Sequence, residues 1–162
     1  MPDFFTHKYQ PAQVAEITDI APDTLRDWRR QKLLENYGAE GVSGKWTYSQ
    51  WDVSALWIGE RLSGRGWNMN RLESLKRGRI LGDRVLQCIQ DRLDGKAFSG
   101  ARFVVYVWEG YTEDLKPYGA GMKFLVSLSE LEGLTFDHVE AFDVFHIAAT
   151  APKEIVDMVR AG

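Results

Sequence analysis

The spacing of apolar residues along the front of the chain predicts two short amphipathic helices. Residues 11–18 carry apolar positions at helical spacing, and Pro11 suits the first turn because an N–H there has no partner within the helix. A second helix is predicted from Pro22 to Gln31, with Leu25 and Trp28 on one side. The charged residues of the opposite side are Asp23, Arg26, Asp27 and Arg30. This helix is therefore expected to bury two side chains and expose a charged face.

A tight turn at residues 18–20 joins these two helices. Two short helices joined in this way, with arginines on the second, are typical of a helix-turn-helix that places one helix in the DNA major groove. An ordinary helical hairpin with a solvated charged face has the same pattern. This segment by itself leaves both interpretations open.

Residues 38–48 are rich in glycine and end in alternating β-formers, which predicts a small β-hairpin. Ser49 followed by Asp52 predicts a capped helix over about residues 50–63. Residues 64–68 break that helix. Asn68 is predicted to cap a short helix over 69–77, whose first-turn N–H groups suit an anion.

The rear of the chain alternates between helical and strand patterns. Gly78 and Gly82 predict a break before an apolar helix over about 83–94, which could pack on the rear domain or pair across a two-fold axis. The remaining predictions are strands at 103–108, 124–126 and 142–148, a helical turn capped by Ser127 and Glu130, and a helix over 152–159. Residues 110–121 are predicted to form a long loop, either a connection or a lid over a ligand pocket.

These elements predict an α+β fold with an N-terminal winged helix-turn-helix. The predicted units are residues 1–79 as a DNA-binding domain, 80–97 as a linking or dimerisation helix and 98–162 as an α+β domain for assembly or partner binding. No internal repeat or low-complexity run is present in the sequence.

The distribution of charge supports this division. The 162-residue chain has a net charge of −3, but residues 1–79 carry 12 Lys and Arg against 10 Asp and Glu, whereas residues 80–162 carry 8 against 13. A weakly basic front half suits contact with phosphate, and an acidic rear half suits a module that does not contact phosphate. Chance variation is the alternative explanation.

The sequence offers little for catalysis, metal binding or membrane insertion. His7, His138 and His146 lack metal-ligand spacing, and His146 is expected to lie on the core face of a strand with Phe142. Cys88 is the only cysteine, which excludes an intramolecular disulfide and favours a small apolar core residue. We expect no enzyme activity, no cofactor and no metal. With no signal-like or membrane-spanning segment, we expect a cytoplasmic, nucleoid-associated protein.

Several spaced motifs over residues 8–77 resemble the DNA-binding domain of MerR-type winged-helix transcription regulators. The residues that carry the resemblance are Tyr9, Val14, Ala15, Glu16, residues 21–28, Leu33, Leu34, Tyr48, Ser49 and residues 66–69. The resemblance implies a winged helix-turn-helix that binds duplex DNA, and it covers just under half of the chain. The rear half resembles no family that we recognise.

The resemblance and the side-chain chemistry together give a set of candidate DNA-binding residues. They are Thr24, Arg26, Asp27, Arg29, Arg30, Lys32, Lys45, Trp46, Asn68 and Arg71. The cations can neutralise phosphates, while Arg30 could bind guanine and Asp27 could accept a hydrogen bond from cytosine. Arg30 and Asp27 could equally form an ion pair on the helix surface, and Arg26 could instead brace the wing.

The sequence departs from the family at four positions: Asp19 in the turn, Ala21 at the helix cap, Asp27, and Trp46 on the wing. Ala21 removes a hydroxyl cap that is worth about 1 kcal/mol. Asp19 tolerates the left-handed backbone better than most residues. Asp27 and Trp46 bear on which bases are preferred.

The sequence therefore predicts a sequence-specific, duplex-DNA-binding regulator of bacterial or phage type that binds an inverted repeat as a homodimer. One alternative is an excisionase-like architectural factor that bends DNA. Another is a sensor whose rear domain binds a small aromatic or cationic ligand, whereas in the regulator that domain serves assembly or contact with a protein partner. The residues expected to hold such a ligand are Trp108, Tyr111 and Tyr118.

Overall fold

The computed structural model describes residues 3–64, 69–112, 117–118 and 121–162, with the side chains at 108–112, 117, 118, 135 and 137 outside the description. Its first part consists of α1 (Pro11–Thr18), α2 (Pro22–Arg30), β1 (Ala39–Glu40), β2 (Trp46–Thr47) and α3 (Gln50–Ser63). Strands β1 and β2 pair as an antiparallel hairpin. The helices and hairpin predicted for this part of the sequence are confirmed.

Local chemistry explains where these helices begin and end. Pro11 and Pro22 stand in the first turns of α1 and α2, and Asp19 ends α1 in the left-handed region at φ 62°. Ala21 precedes α2 without a side-chain cap, as its methyl group requires. At α3, Ser49 accepts a hydrogen bond from the Asp52 amide at 3.1 Å, and the Asp52 carboxylate accepts from the Ser49 amide at 2.9 Å.

The long helix α4 (Arg71–Leu93) corrects two predictions. The helix continues through Gly78 and Gly82, so the predicted break between separate helices at 69–77 and 83–94 is wrong. A Cβ at Gly78 would lie 2.2 Å from the Ala55 carbonyl oxygen, so this glycine lets α4 pack closely against α3. Asn70, rather than Asn68, caps the helix by accepting from the Glu73 amide at 3.0 Å.

The main sheet is antiparallel, with β3 (Phe103–Thr112) at its centre. Strands β4 (Pro117–Tyr118) and β5 (Gly121–Leu125) pair with one side of β3, and β6 (Leu134–Asp143) pairs with the other. Since β3 runs through residue 112, β4 covers Pro117–Tyr118 and β5 begins at Gly121, the long loop predicted for 110–121 is wrong at each of its described residues. The prediction overlooked a strand that continues through Gly110.

The C-terminal elements are a 3₁₀ turn at Leu128–Leu131, α5 (Val144–Ala149) and α6 (Lys153–Arg160). Ser127 and Glu130 cap the 3₁₀ turn as predicted. The strand predicted for 142–148 is wrong after Asp143, because this carboxylate accepts from the amides of Phe145 at 3.0 Å and His146 at 3.3 Å and starts a helix. His146 is therefore an exposed helical residue and not part of a strand's core face.

One buried cluster connects the front and rear of the chain. Val14, Leu56, Leu86 and Ile155, which come from α1, α3, α4 and α6, are all fully buried in it. The Gln50 side-chain amide also donates to the Met158 carbonyl at 2.6 Å. The molecule is thus a mixed helix and sheet protein, and the core crosses both boundaries of the predicted domain division, which itself stays a prediction.

Candidate nucleic-acid interface

Helix α2 has one side buried in the core and the opposite side exposed to solvent. Leu25 and Trp28 are buried in the main core, whereas Arg26, Asp27 and Arg30 are exposed. Because successive residues of an α-helix are rotated by 100°, these two sets of side chains lie on different sides of α2. The predicted division of α2 into a buried and a charged face is confirmed.

The charged face of α2 consists of ion pairs one turn apart. Arg26 pairs with Asp23, and the Arg30 guanidinium lies 2.6 Å from the Asp27 carboxylate. Arg30 is 71% exposed and Asp27 is 54% exposed. Ion pairs as exposed as these contribute only about 0–1 kcal/mol. Both arginines can therefore exchange their carboxylate partners for another anion at little cost.

Arg29 has a different environment from its neighbours on α2. Its guanidinium donates to the carbonyls of Leu34 at 3.3 Å and Tyr37 at 3.0 Å, and to the Tyr48 hydroxyl at 3.0 Å. It also lies 3.3 Å from the centre of the Trp46 ring, a cation–π contact. Arg29 thus joins α2 to the segment before the hairpin and to the hairpin itself. The contact of Arg29 with phosphate stays a prediction. Its guanidinium N–H groups already donate hydrogen bonds to acceptors within the protein.

The bracing role that the sequence left open for Arg26 thus belongs to Arg29. Arg29 lies four residues after Leu25, so helical spacing places it beside the buried face. That spacing is the sequence feature that could have assigned this role.

The hairpin is fixed at its base and exposed at its tip. Tyr9 and Tyr48 exchange backbone hydrogen bonds of 2.9 and 2.8 Å, which tie the end of the hairpin to the segment before α1. Lys45 is exposed in the turn, while Trp46 is half-buried against Arg29. The hairpin can therefore present a cation at a defined position next to α2.

A cleft of about 500 Å³ lies between α2 and the hairpin. Four of the predicted site residues line it: Arg26, Arg29, Arg30 and Trp46. The cleft is also lined by Pro11, Pro22, Leu25 and Tyr48, which are not among the site residues predicted from the sequence. Both prolines are the first residues of their helices, so the N-terminal ends of α1 and α2 lie at this cleft.

The other predicted residues that the structure describes are not part of the lining of this cleft. Thr24 is half-buried on α2, and Lys32 is exposed just after α2 in the left-handed region at φ 60°. Arg71 pairs with Glu60 and stacks 4.5 Å from the centre of the Trp28 ring, so it supports the buried side of α2. Asn68 lies outside the described residues.

Tyr37 fixes the segment between α2 and the hairpin to α4, a contact that was not predicted from the sequence. Its hydroxyl donates to the Leu75 carbonyl at 2.7 Å, and burial raises the pKa of this phenol far above its usual value. The side chain therefore remains a neutral donor. No local motif distinguishes it, because the acceptor is 38 residues away.

Potential metal ligands and the single cysteine were the remaining candidates for chemistry in the sequence. They contain no group of three His, Cys, Asp or Glu side chains placed to hold a metal ion. Cys88 is buried as predicted, and burial raises the pKa of its thiol, which disfavours the reactive thiolate. The side chains of Trp108, Tyr111 and Tyr118, expected to hold a ligand in the sensor alternative, lie outside the description.

No protein-family model and no curated protein matches the chain. In the part of the chain that the structure describes, no helix is both long and apolar enough to cross a membrane.

Proposed function

We propose that this chain is a duplex-DNA-binding regulator with a MerR-like winged helix-turn-helix, in which α2 enters the major groove and the β1–β2 hairpin is the wing. The observation that carries the proposal is the exposed pair Arg26 and Arg30 on a helix fixed from behind by Leu25 and Trp28. The wing lies beside this helix because Arg29 connects the two.

The dimensions of α2 suit this role. An α-helix with its side chains is about 10–12 Å in diameter, and the nine residues of α2 give it a length of about 13.5 Å. The major groove of B-DNA is about 12 Å wide and admits a helix. The exposed face of α2 can therefore reach base edges while the hairpin tip approaches the neighbouring backbone.

The candidate residues divide between affinity and sequence preference. Arg26, Lys32 and Lys45 are exposed cations that suit phosphate contacts, which carry little sequence information. Arg30 suits a two-pronged contact to guanine, and Asp27 suits acceptance from a cytosine amino group. Because their mutual ion pair is exposed and weak, DNA can separate the two side chains at little cost. Arg29 and Arg71 support the fold of the interface in this account.

The proposal extends to the whole protein. Regulators that use a helix-turn-helix bind two half-sites as a symmetric dimer, so we infer a homodimer on an inverted repeat in the cytoplasmic nucleoid. The acidic rear half, with 8 Lys and Arg against 13 Asp and Glu, is the part suited to protein contacts away from DNA.

Selection of binding sites from a random duplex library tests this function. Purified wild-type protein is expected to enrich one motif with two-fold symmetry. Arg30→Ala is expected to lose the preference at one base pair of each half-site, a loss of about 1–3 kcal/mol in discrimination.

Arg160→Ala is the matched control for this selection. Arg160 is 64% exposed and pairs with Asp157 one turn away on α6, as Arg30 pairs with Asp27 on α2. The control protein is expected to select the wild-type motif. Enrichment of no motif by the wild type, or the same change of motif in both variants, would contradict the proposed function.

A further inference from the structure

A cavity lies where the end of α3 meets the junction of β6 and α5. Its volume is about 430 Å³, within the range of about 300–1,000 Å³ that small-molecule sites usually have. None of the described residues that line the cleft beside α2 also lines this cavity. The cavity is therefore separate from the candidate nucleic-acid interface.

The walls of this cavity are apolar. Four residues of the main core line it: Ile58, Leu62, Phe142 and Ile147. Each of these side chains is at most 8% exposed. Ala141 and His146 line the same cavity and are exposed, so one side of it opens to solvent. The cavity can therefore take up the apolar part of a ligand from solution.

Arg61 of α3 supplies a positive charge at this cavity. Its guanidinium donates to the Thr150 hydroxyl at 2.8 Å, a bond that joins α3 to the residue after α5 and holds the guanidinium in place. Among the described residues, no carboxylate forms an ion pair with Arg61. A guanidinium has five N–H donors in a planar fork that suits a carboxylate. Arg61 can therefore bind an anionic group in the cavity.

The carboxylate of Asp143, which also lines the cavity, does not cancel this charge. The Arg102 guanidinium donates to it at 2.8 Å, and the amides of Phe145 and His146 donate to it at 3.0 and 3.3 Å. The charge of Asp143 is thus compensated by Arg102, whereas that of Arg61 is not. His146 adds a ring nitrogen that can donate a second hydrogen bond.

Arg61 also borders a second cleft, which is acidic. The carboxylates that line this cleft belong to Glu16, Asp19, Glu60 and Glu154. Glu60 pairs with Arg71, and the other three residues are exposed, so water and salt screen their charges. A ligand carboxylate at hydrogen-bond distance from Arg61 would outweigh this screened attraction.

We propose that the cavity between α3 and α5 binds a small carboxylic acid with an apolar body. Arg61 holds the carboxylate, His146 donates a second hydrogen bond, and the apolar body lies against Phe142 and Ile147. The apolar walls would accept any apolar molecule of suitable size. The uncompensated guanidinium selects an acid over an amine of the same shape. The inference goes beyond the proposed function and is tested without DNA.

NMR titration of the full chain tests this site with two acids, phenylacetate and octanoate. The matched probes are phenylethylamine and octylamine, which have the same carbon skeletons and the opposite charge. At least one acid is expected to bind about tenfold more tightly than its amine, because a charge-assisted hydrogen bond contributes about that factor. The acid is expected to shift the backbone amides of Phe142, His146 and Ile147 and to leave those of α2 unchanged.

Substitutions of Arg61 test the source of the selectivity. Arg61→Gln is expected to weaken binding of the acid about tenfold and not to weaken binding of the amine. Arg61→Lys keeps the positive charge and is expected to restore part of the affinity for the acid. Arg160→Gln, at an exposed arginine of α6 outside the cavity lining, is the control and is expected to bind the acid as the wild type does.

Ala141→Phe tests the location by placing a ring in the cavity from an exposed position on β6. This variant is expected to fold and to lose binding of the acid. Val139→Phe is the matched control, because Val139 is 42% exposed on the same strand and is not part of the cavity lining. It is expected to keep the wild-type affinity.

Circular dichroism shows whether each variant folds, and the amide shifts of the wild type locate the ligand without any substitution. Failure of both acids to bind at concentrations up to about 10 mM would overturn the proposal. So would equal affinities for acid and amine, amide shifts elsewhere in the chain, or a folded Arg61→Gln or Ala141→Phe protein that keeps the wild-type affinity. A Val139→Phe protein that loses the acid would also overturn it.

Discussion

At the scale of residues, the arginines around α2 have two different tasks. Arg26 and Arg30 are exposed and pair with neighbouring aspartates, whereas Arg29 and Arg71 stack on Trp46 and Trp28. The sequence predicted all four as DNA contacts, because composition marks a cation without showing which acceptors surround it. The acceptors of Arg29 are two backbone carbonyls and a hydroxyl, which only the folded chain brings together.

We expect Arg29→Ala to lower the free energy of unfolding by about 1–3 kcal/mol, since it leaves partly buried carbonyls without their donor and removes the support of Trp46. Arg30→Ala is expected to change that free energy by less than about 0.5 kcal/mol, because its ion pair is exposed. Urea unfolding of the two variants beside the wild type measures both values. Equal losses in the two variants would show that the assigned difference between Arg29 and Arg30 is wrong.

At the scale of elements, the sequence predicts structure well where the determinants are local. Prolines at helix starts and the Ser49–Asp52 capping box gave α1, α2 and α3 nearly to the residue. The prediction from sequence failed at Gly78. Taken locally, a glycine indicates a helix break, but in the folded chain Gly78 lets α4 lie close to Ala55 of α3. The prediction also failed at Asp143, whose capping chemistry was available in the sequence but was outweighed by the apolar alternation around it.

The packing of α4 on α3 makes a prediction about Gly78. Helix propensity favours alanine over glycine by about 1 kcal/mol, so an isolated helix would gain stability from Gly78→Ala. In the protein the added Cβ would lie 2.2 Å from the Ala55 carbonyl oxygen, so we expect a net loss of about 1–3 kcal/mol from overpacking. Thermal or denaturant unfolding measures the change.

Gly64→Ala is the control for this substitution, because its Cβ would make an ordinary 3.5 Å contact with the Glu60 carbonyl oxygen. It is expected to leave the free energy of unfolding nearly unchanged. A Gly78→Ala protein as stable as the wild type would mean that α3 and α4 do not approach as closely as described.

At the scale of the whole molecule, the front and rear of the chain share one core while their charges differ. Helix α6 contributes Ile155 to the cluster that also holds Val14 of α1, and Gln50 bonds to the Met158 carbonyl. The support of α2 therefore depends in part on the C-terminal residues. The sequence could predict the charge difference, because charge is additive along the chain, but it could not predict the shared core, which arises from contacts between distant segments.

The salt dependence of duplex binding tests the central claim most directly. Fluorescence anisotropy of a labelled mixed-sequence duplex, titrated with protein at several salt concentrations, gives the affinity and its slope against the logarithm of the salt concentration. Each phosphate contact contributes about 0.9 to that slope in B-DNA.

We predict that the wild type binds at low ionic strength with a slope that falls by about 1 when Arg26 and Arg30 are both replaced by alanine, since Arg26 is assigned a phosphate contact and Arg30 a contact to guanine. The Arg160→Ala control is expected to keep the wild-type slope. A wild type that does not bind duplex DNA at low ionic strength, or a slope that is unchanged in the double variant, would contradict the assignment of α2 as the recognition helix.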